Sequence, residues 1–150
     1  MIETHSLDEL KALVGREIGV SRWFDMPQSR IDTFADATDD HQWIHVDPRR
    51  AASESPFHGT VAHGFLTLSL LPAMLESVLR MRDVKLAVNY GLNKVRFPAP
   101  VPAGSRVRAR VALAAISPEH SGVQLTFEVT VECEGQGKPV CVAEFLIRRY

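Results

Sequence analysis

At 150 residues, with 45% apolar and 23% charged side chains, the chain has the size and composition of one globular domain with its own core, residues 1–150. Seventeen basic residues against eighteen acidic ones leave a net charge of −1, and no basic block stands out, which argues against nucleic acid or an anionic membrane as partner. The apolar stretch Val61 to Leu75 falls short of the ~18–20 residues of a bilayer span, and no secretory signal opens the chain, so a cytoplasmic location is expected.

Ser6-Leu7-Asp8-Glu9 has the pattern of a capping box and predicts a short helix over Leu7–Val14, stopped by Gly15. Ile18 to Met26 reads as extended, ending at Pro27. Beyond it, Ile31, Phe34, Ala35 and Thr38 recur at helical spacing while Arg30, Asp32 and Asp36 face out, predicting an amphipathic helix. His41 to Val46 fits no periodic template and reads as a loop or a single extended turn. Asp47-Pro48 is a helix start, with aspartate as N-cap and proline at the first position. After a turn-rich connection through Ser55-Pro56-Phe57-His58-Gly59, a long helix is expected from about Ala62 to Arg82. It is apolar nearly all round, as a helix enclosed by a sheet would be, with a kink at Pro72.

The remainder alternates with the period of strands. Leu86, Val88, Tyr90 and Leu92 share one parity and Val95 and Phe97 the other, so a bulge is expected near Gly91-Leu92-Asn93. Val107, Ala109, Val111 and Leu113 alternate with Arg106, Arg108 and Arg110; Val123 to Cys133 alternate with Gln124, Thr126, Glu128, Thr130, Glu132 and Glu134. Complementary charges on the two polar faces predict antiparallel neighbours, and make a solvated strand face the expected role of the arginine row. A last strand, Val140–Arg149, is apolar on both faces and therefore interior. Ser117–Gly122 and Glu134–Pro139 are hairpin connections, and Cys133 and Cys141 read as buried hydrophobes. The fold class is α+β: an antiparallel sheet wrapped around a central apolar helix, with free edges that suggest a homodimer.

Candidate chemistry concentrates in Asp39-Asp40-His41-Gln42-Trp43-Ile44-His45 and in His58-Gly59-Thr60-Val61-Ala62-His63-Gly64-Phe65. A carboxylate and an imidazole five residues apart can converge on one water if the chain bends between them. The start of a helix offers free amides to a developing anion. A metal module built from His41, His45, His58 and His63 is the competing reading, weakened by the absence of nearby cysteines, and no metal is expected.

Asp40-His41-Gln42-Trp43-Ile44-His45, followed after five residues by Ala51, resembles the signature of the MaoC-like dehydratases, and more narrowly of the R-specific enoyl-CoA hydratases and their nodulation-protein-N-like branch. Ala62-His63-Gly64-Phe65 and Lys94-Val95-Arg96-Phe97-Pro98 through Gly104 extend the likeness, which covers roughly Gly15 to Phe145. Asp39, Gln42 and Trp43 stand where the family often has glycine, asparagine and proline. The resemblance implies a hot-dog fold, a dimer with one continuous sheet, and an acyl thioester of coenzyme A or acyl carrier protein as substrate, with no other cofactor. It implies Asp40 and His45 as the catalytic pair and the Gly64 amide as a donor to the thioester oxygen. Gln42 and His63 are expected in support, Phe65 and Leu66 along the acyl chain. A thioesterase, with water directed at the carbonyl, and a non-catalytic acyl-thioester binder are the alternatives.

Overall fold

The computed structural model describes residues 1–150. Its elements are β1 (Ile2–Thr4), α1 (Leu7–Lys11), β2 (Arg16–Val20), β3 (Phe24–Met26), α2 (Gln28–Thr38), α3 (Trp43–Val46), α4 (Pro48–Glu54), α5 (Gly64–Ser69), α6 (Leu71–Glu76), β4 (Leu79–Met81), β5 (Ala87–Arg96), β6 (Ser105–Glu119), β7 (Gly122–Cys133) and β8 (Cys141–Arg149).

The antiparallel pairing expected of the arginine-bearing and acidic strands is present, while the extended run expected over Ile18–Met26 is broken into β2 and β3. An antiparallel sheet runs β2-β6-β7-β8-β5, with β3 also pairing β6, so β8 is interior as its two apolar faces require. Arg108 lies opposite Glu132 and Arg110 opposite Thr130 across β6 and β7. On that face Arg106 is paired with Glu134, while Arg108 meets Glu132 at 2.9 Å and Arg110 meets Glu17 at 2.7 Å. The arginine row is therefore a solvated ion-pair ladder, each exposed pair contributing about 0–1 kcal/mol. The β5 register slips twice, between Asn89 and Gly91 and between Asn93 and Arg96; Lys94, at φ 51°, sits in the second irregularity. The strand β6 continues through Pro118, which pairs with Val123, leaving only His120 and Ser121 for the turn.

The continuous helix expected over Ala62–Arg82 is replaced by two short helices and a strand. Leu70 ends α5 and caps α6, and Pro72 falls in the first turn of α6, where its missing N–H costs nothing. The proline thus starts a helix rather than kinking one. Beyond Glu76 the chain straightens into β4, which pairs in parallel with β1. Ile2 N–H donates to Val78 O at 2.6 Å and Arg82 N–H to Thr4 O at 2.8 Å, partners that a helix would have found within itself. Both short helices still pack under the sheet: Leu66, Leu71, Met74 and Leu75 join Phe127, Val111, Leu125 and Phe145 in the core. Cys133 and Cys141 are buried in it as expected.

The helix starts follow their signals. Glu9 N–H donates to Ser6 Oγ and Arg50 N–H to the Asp47 carboxylate. Helix α1 is shorter than expected, ending at Lys11 before turns that lead to Gly15 at φ 82°.

Candidate active site

Helix α2 carries the chain to Asp39, which caps it in the left-handed region at φ 58°, ψ 20°. Glycine enters that region freely and aspartate tolerates it, which accounts for a position where the family often carries glycine. The turn sends the chain off the α2 axis. Residues 43–46 then close the single helical turn α3 where a loop was expected, and Asp47 caps α4 immediately after. Asp39 is exposed and does not line the adjoining cleft.

His45 points inward from α3 and is 8% exposed. Its Nδ1 lies 2.7 Å from the Val61 carbonyl. A carbonyl can only accept, so Nδ1 carries the hydrogen, and Nε2 of the neutral ring holds the lone pair. Val61 answers in kind, its own N–H donating to Ile44 O at 3.1 Å. Burial pushes the His45 imidazole below its ordinary 6.5; the Val61 carbonyl opposes that, His63 adds to it, and Asp40 opposes it again.

His63, 2% exposed, lies across this pair. Its Nε2 donates to the Asp40 carbonyl oxygen at 2.9 Å. Its ring stacks on His45 with centroids 3.9 Å apart and meets Phe34 at 4.9 Å. Its Nδ1 and the Thr67 hydroxyl are buried without a hydrogen-bond partner. The side chains of Asp40, His45 and His63 bring donor atoms within 4.8 Å of one another. Three such groups could hold a cation through the ring nitrogen that each histidine leaves free of its carbonyl. A spacing of that size also fits one water bonded to a carboxylate and an imidazole, each contact being about 2.8 Å long.

Asp40 forms the polar corner of an apolar cleft of about 660 Å³ whose walls include Phe34, Phe65, Leu68, Leu71 and Phe145. It is the only charged residue on that lining. Phe65 lines this cleft, whereas Leu66, expected beside it, is buried in the core, and Leu68 takes the cleft wall instead. Helical spacing alone did not fix which face of α5 met the sheet. Gly64 opens α5, where its N–H has no acceptor within the helix. A Cβ built there would meet the Phe97 ring at 2.9 Å, so this position takes no side chain unless the ring moves.

Other expected residues fall elsewhere. Gln42 is exposed before α3, and its backbone N–H approaches the Asp40 carboxylate at 3.4 Å, while its side chain makes no hydrogen bond. His41 pairs with Asp36 at 2.9 Å on the surface, a contact that raises its pKa. His58 is exposed in the left-handed region. Sequence reasoning missed two residues behind the site. The Gln28 amide reaches the His45 carbonyl at 2.7 Å, and Thr60 donates its hydroxyl hydrogen to Gln28 Oε1 at 2.5 Å.

Residues 9–134 match the model of the MaoC like domain. The chain belongs to the MaoC-like dehydratase family. This MaoC-like chain is 54% identical to 3-hydroxyacyl-thioester dehydratase Z of Mycobacterium tuberculosis over 95% of both chains. It is 48% identical to nodulation protein N of Rhizobium leguminosarum over 94% of this chain and 89% of that one. Among solved structures, the unliganded R-hydratase PhaJ1 from Pseudomonas aeruginosa superposes with a TM-score of 0.74 at 23% identity, covering 91% of this chain and 81% of that one. The fold is the hot-dog fold, with two short helices, α5 and α6, meeting at Leu70. No helix is long and apolar enough to cross a membrane.

Proposed function

We propose that this MaoC-like protein adds water across trans-2-enoyl thioesters to form (R)-3-hydroxyacyl thioesters, and catalyses the reverse dehydration. The observation that carries the reading is Asp40, the one charged residue lining an apolar cleft, with polar atoms of its side chain and of the buried His45 within 4.8 Å of each other. The similarity to a 3-hydroxyacyl-thioester dehydratase over nearly the whole chain supports it.

In this reading one water lies between the two side chains. The neutral His45 accepts the water's proton at Nε2, and the Asp40 carboxylate accepts a hydrogen bond from the O–H that remains, aiming the oxygen at the β-carbon. As the C–O bond forms, the π electrons move toward the thioester, and negative charge collects on its oxygen. The Gly64 N–H donates to that oxygen, the type of contact whose loss costs about 10²–10³ in rate. The proton held by His45 passes to the α-carbon, so water is added in full and both residues return to their starting state. General acid–base steps of this kind contribute about 10²–10⁴-fold. His63 supports the pair by holding the Asp40 carbonyl, while Gln42 shapes the entrance to α3. The acyl chain lies along Phe65 and Leu68, and the carrier is coenzyme A or acyl carrier protein. No other cofactor and no metal enters any of these steps.

The protein acts as a single domain over residues 1–150 and as a homodimer. Strand β5 is a free edge of the sheet, and Leu86, Val88, Tyr90 and Leu92 along it are 54%, 40%, 53% and 40% exposed. A second copy pairing antiparallel along β5 about a two-fold axis satisfies that edge and covers those side chains.

The test follows the fall in enoyl-thioester absorbance with crotonyl-CoA and longer homologues, together with chiral analysis of the product. Wild type turning over to the (R)-alcohol, with Asp40→Asn and His45→Asn inactive, is the expected result. Release of free thiol without hydration, or activity that survives both substitutions, overturns the reading.

A further inference from the structure

We propose that Gln28, seated by Thr60, is a positioning residue that fixes the aim of the His45 imidazole. The inference rests on the catalytic pair proposed above and concerns what holds it.

Gln28 is the first residue of α2, following Pro27. Its amide nitrogen donates to the His45 carbonyl at 2.7 Å and to the Asp32 carboxylate at 2.8 Å, and its Oε1 accepts from the Thr60 hydroxyl at 2.5 Å. The orientation of the carboxamide is not free. Turned over, it would set its oxygen against a carbonyl and a carboxylate, neither of which can donate. Every hydrogen of the amide is therefore used, and used in one orientation.

The His45 carbonyl needs such a donor. It belongs to α3, a single turn whose closing carbonyls have no partner within the helix. Thr60, 7% exposed, is itself tied to the segment before β6, where Ala103 N–H donates to its carbonyl at 2.9 Å. The next residue, Val61, takes the His45 Nδ1 hydrogen. The contacts close a ring: the His45 ring on Val61, the His45 backbone on Gln28, Gln28 on Thr60, and Thr60 joined covalently to Val61. The backbone and the ring of His45 are thereby both referred to adjacent residues of one buried segment. At the other end of the catalytic turn, His63 holds the Asp40 carbonyl at 2.9 Å. A slip of α3 would move Nε2 relative to the Asp40 carboxylate without removing either group, and a displacement near 1 Å can cost about 10²-fold in rate.

The experiment compares Gln28→Met, Thr60→Val and Thr60→Ser with wild type in the hydration assay, alongside thermal unfolding by circular dichroism. Gln28→Met keeps the length of the side chain and loses all three hydrogen bonds. We expect kcat to fall about 10–100-fold with KM within about threefold, at a temperature where the variant is fully folded. Thr60→Val keeps the shape and frees the carboxamide, lowering kcat about 3–10-fold, and Thr60→Ser, which keeps the hydroxyl, recovers most of that loss. Should Gln28→Met fail to fold, the Thr60 pair decides. A folded Gln28→Met with kcat within threefold of wild type overturns the inference. So does a Thr60 pair that behaves alike, or a loss of thermal stability with no loss of kcat. If Asp40→Asn and His45→Asn abolish turnover while Gln28→Met does not, only this inference falls; a wild type with no turnover removes both.

Discussion

His45→Asn separates chemistry from scaffolding. The asparagine amide nitrogen falls near the place of Nδ1, so the donor to the Val61 carbonyl, now at 2.7 Å, has a replacement. What disappears is Nε2, together with the ring that stacks on His63 at 3.9 Å. Loss of that stack should cost about 0.5–1.5 kcal/mol, and in a domain of this size each kcal/mol lowers Tm by about 2–4 °C. The variant is therefore expected to remain folded at 25 °C, with Tm only a few degrees lower. Removal of the proton acceptor should lower kcat by about 10²–10⁴-fold, or about 2.7–5.5 kcal/mol in activation free energy at 1.36 kcal/mol per decade. The barrier effect thus exceeds the stability effect, and the two read out in different experiments. Initial rates with crotonyl-CoA over a concentration series give kcat and KM, and circular dichroism gives Tm. A variant within tenfold of wild-type kcat would refute the role of Nε2 as the proton acceptor. A fall in rate that follows the unfolded fraction would assign His45 to the scaffold alone.

Three further outcomes are expected. Because burial holds the His45 pKa below its ordinary 6.5, the acid limb of kcat/KM should have its midpoint below pH 6.5. The same depression makes His45 a stability contribution that is complete above pH 6.5 and is lost as pH falls from there through the folded pKa; an acid limb centred above 6.5 contradicts the assignment. Gly64→Ala drives a methyl against the Phe97 ring at 2.9 Å and should lower kcat by about tenfold or more by displacing the amide donor, and Phe97→Leu in the same chain should restore part of it. If the two losses simply add, the ring and the amide are not coupled. Val88→Lys on the free β5 edge sets like charges across the two-fold axis, so sedimentation should find monomer where wild type sediments as a dimer; a dimeric variant would move the interface off this strand.

What could be read without coordinates was the local part of the fold. The alternation of Arg106, Arg108 and Arg110 with apolar residues named strand, face and partner together, because the period of a strand is short and the charges on β7 answer it. Asp47-Pro48 named a helix start because the cap and the proline act within one turn. The run from Ala62 to Arg82 was misjudged for a complementary reason. Apolar residues all round satisfy a helix and a buried strand equally, and only the pairing of Leu79–Met81 with Ile2–Thr4, over seventy residues away, decides between them. Asp40, His45 and Gly64, the residues proposed for the chemistry, stand out through their resemblance to the family signature. Gln28 carried no signal at all: a glutamine in the first turn of a helix after Pro27 looks like a solvated side chain, and its partners lie 17 and 32 residues on.

The grip of Val61 on α3 also fixes the timescale on which the site can come apart. Val61 N–H is bonded to Ile44 O, the residue bridges to Pro102, and Ala62 N–H is bonded to Val101 O. Helix α3 is thus stitched to a segment that is itself bonded to Val101 and Pro102, not to a free loop. Amide exchange at Val61 and Ala62 should therefore require the opening of that whole unit, with protection close to that of β7, while the exposed amides of Asp39 and His41 exchange through local fraying. Substrate would then meet the proposed pair already in place, with the fluctuations that admit it confined to the outer wall of the cleft.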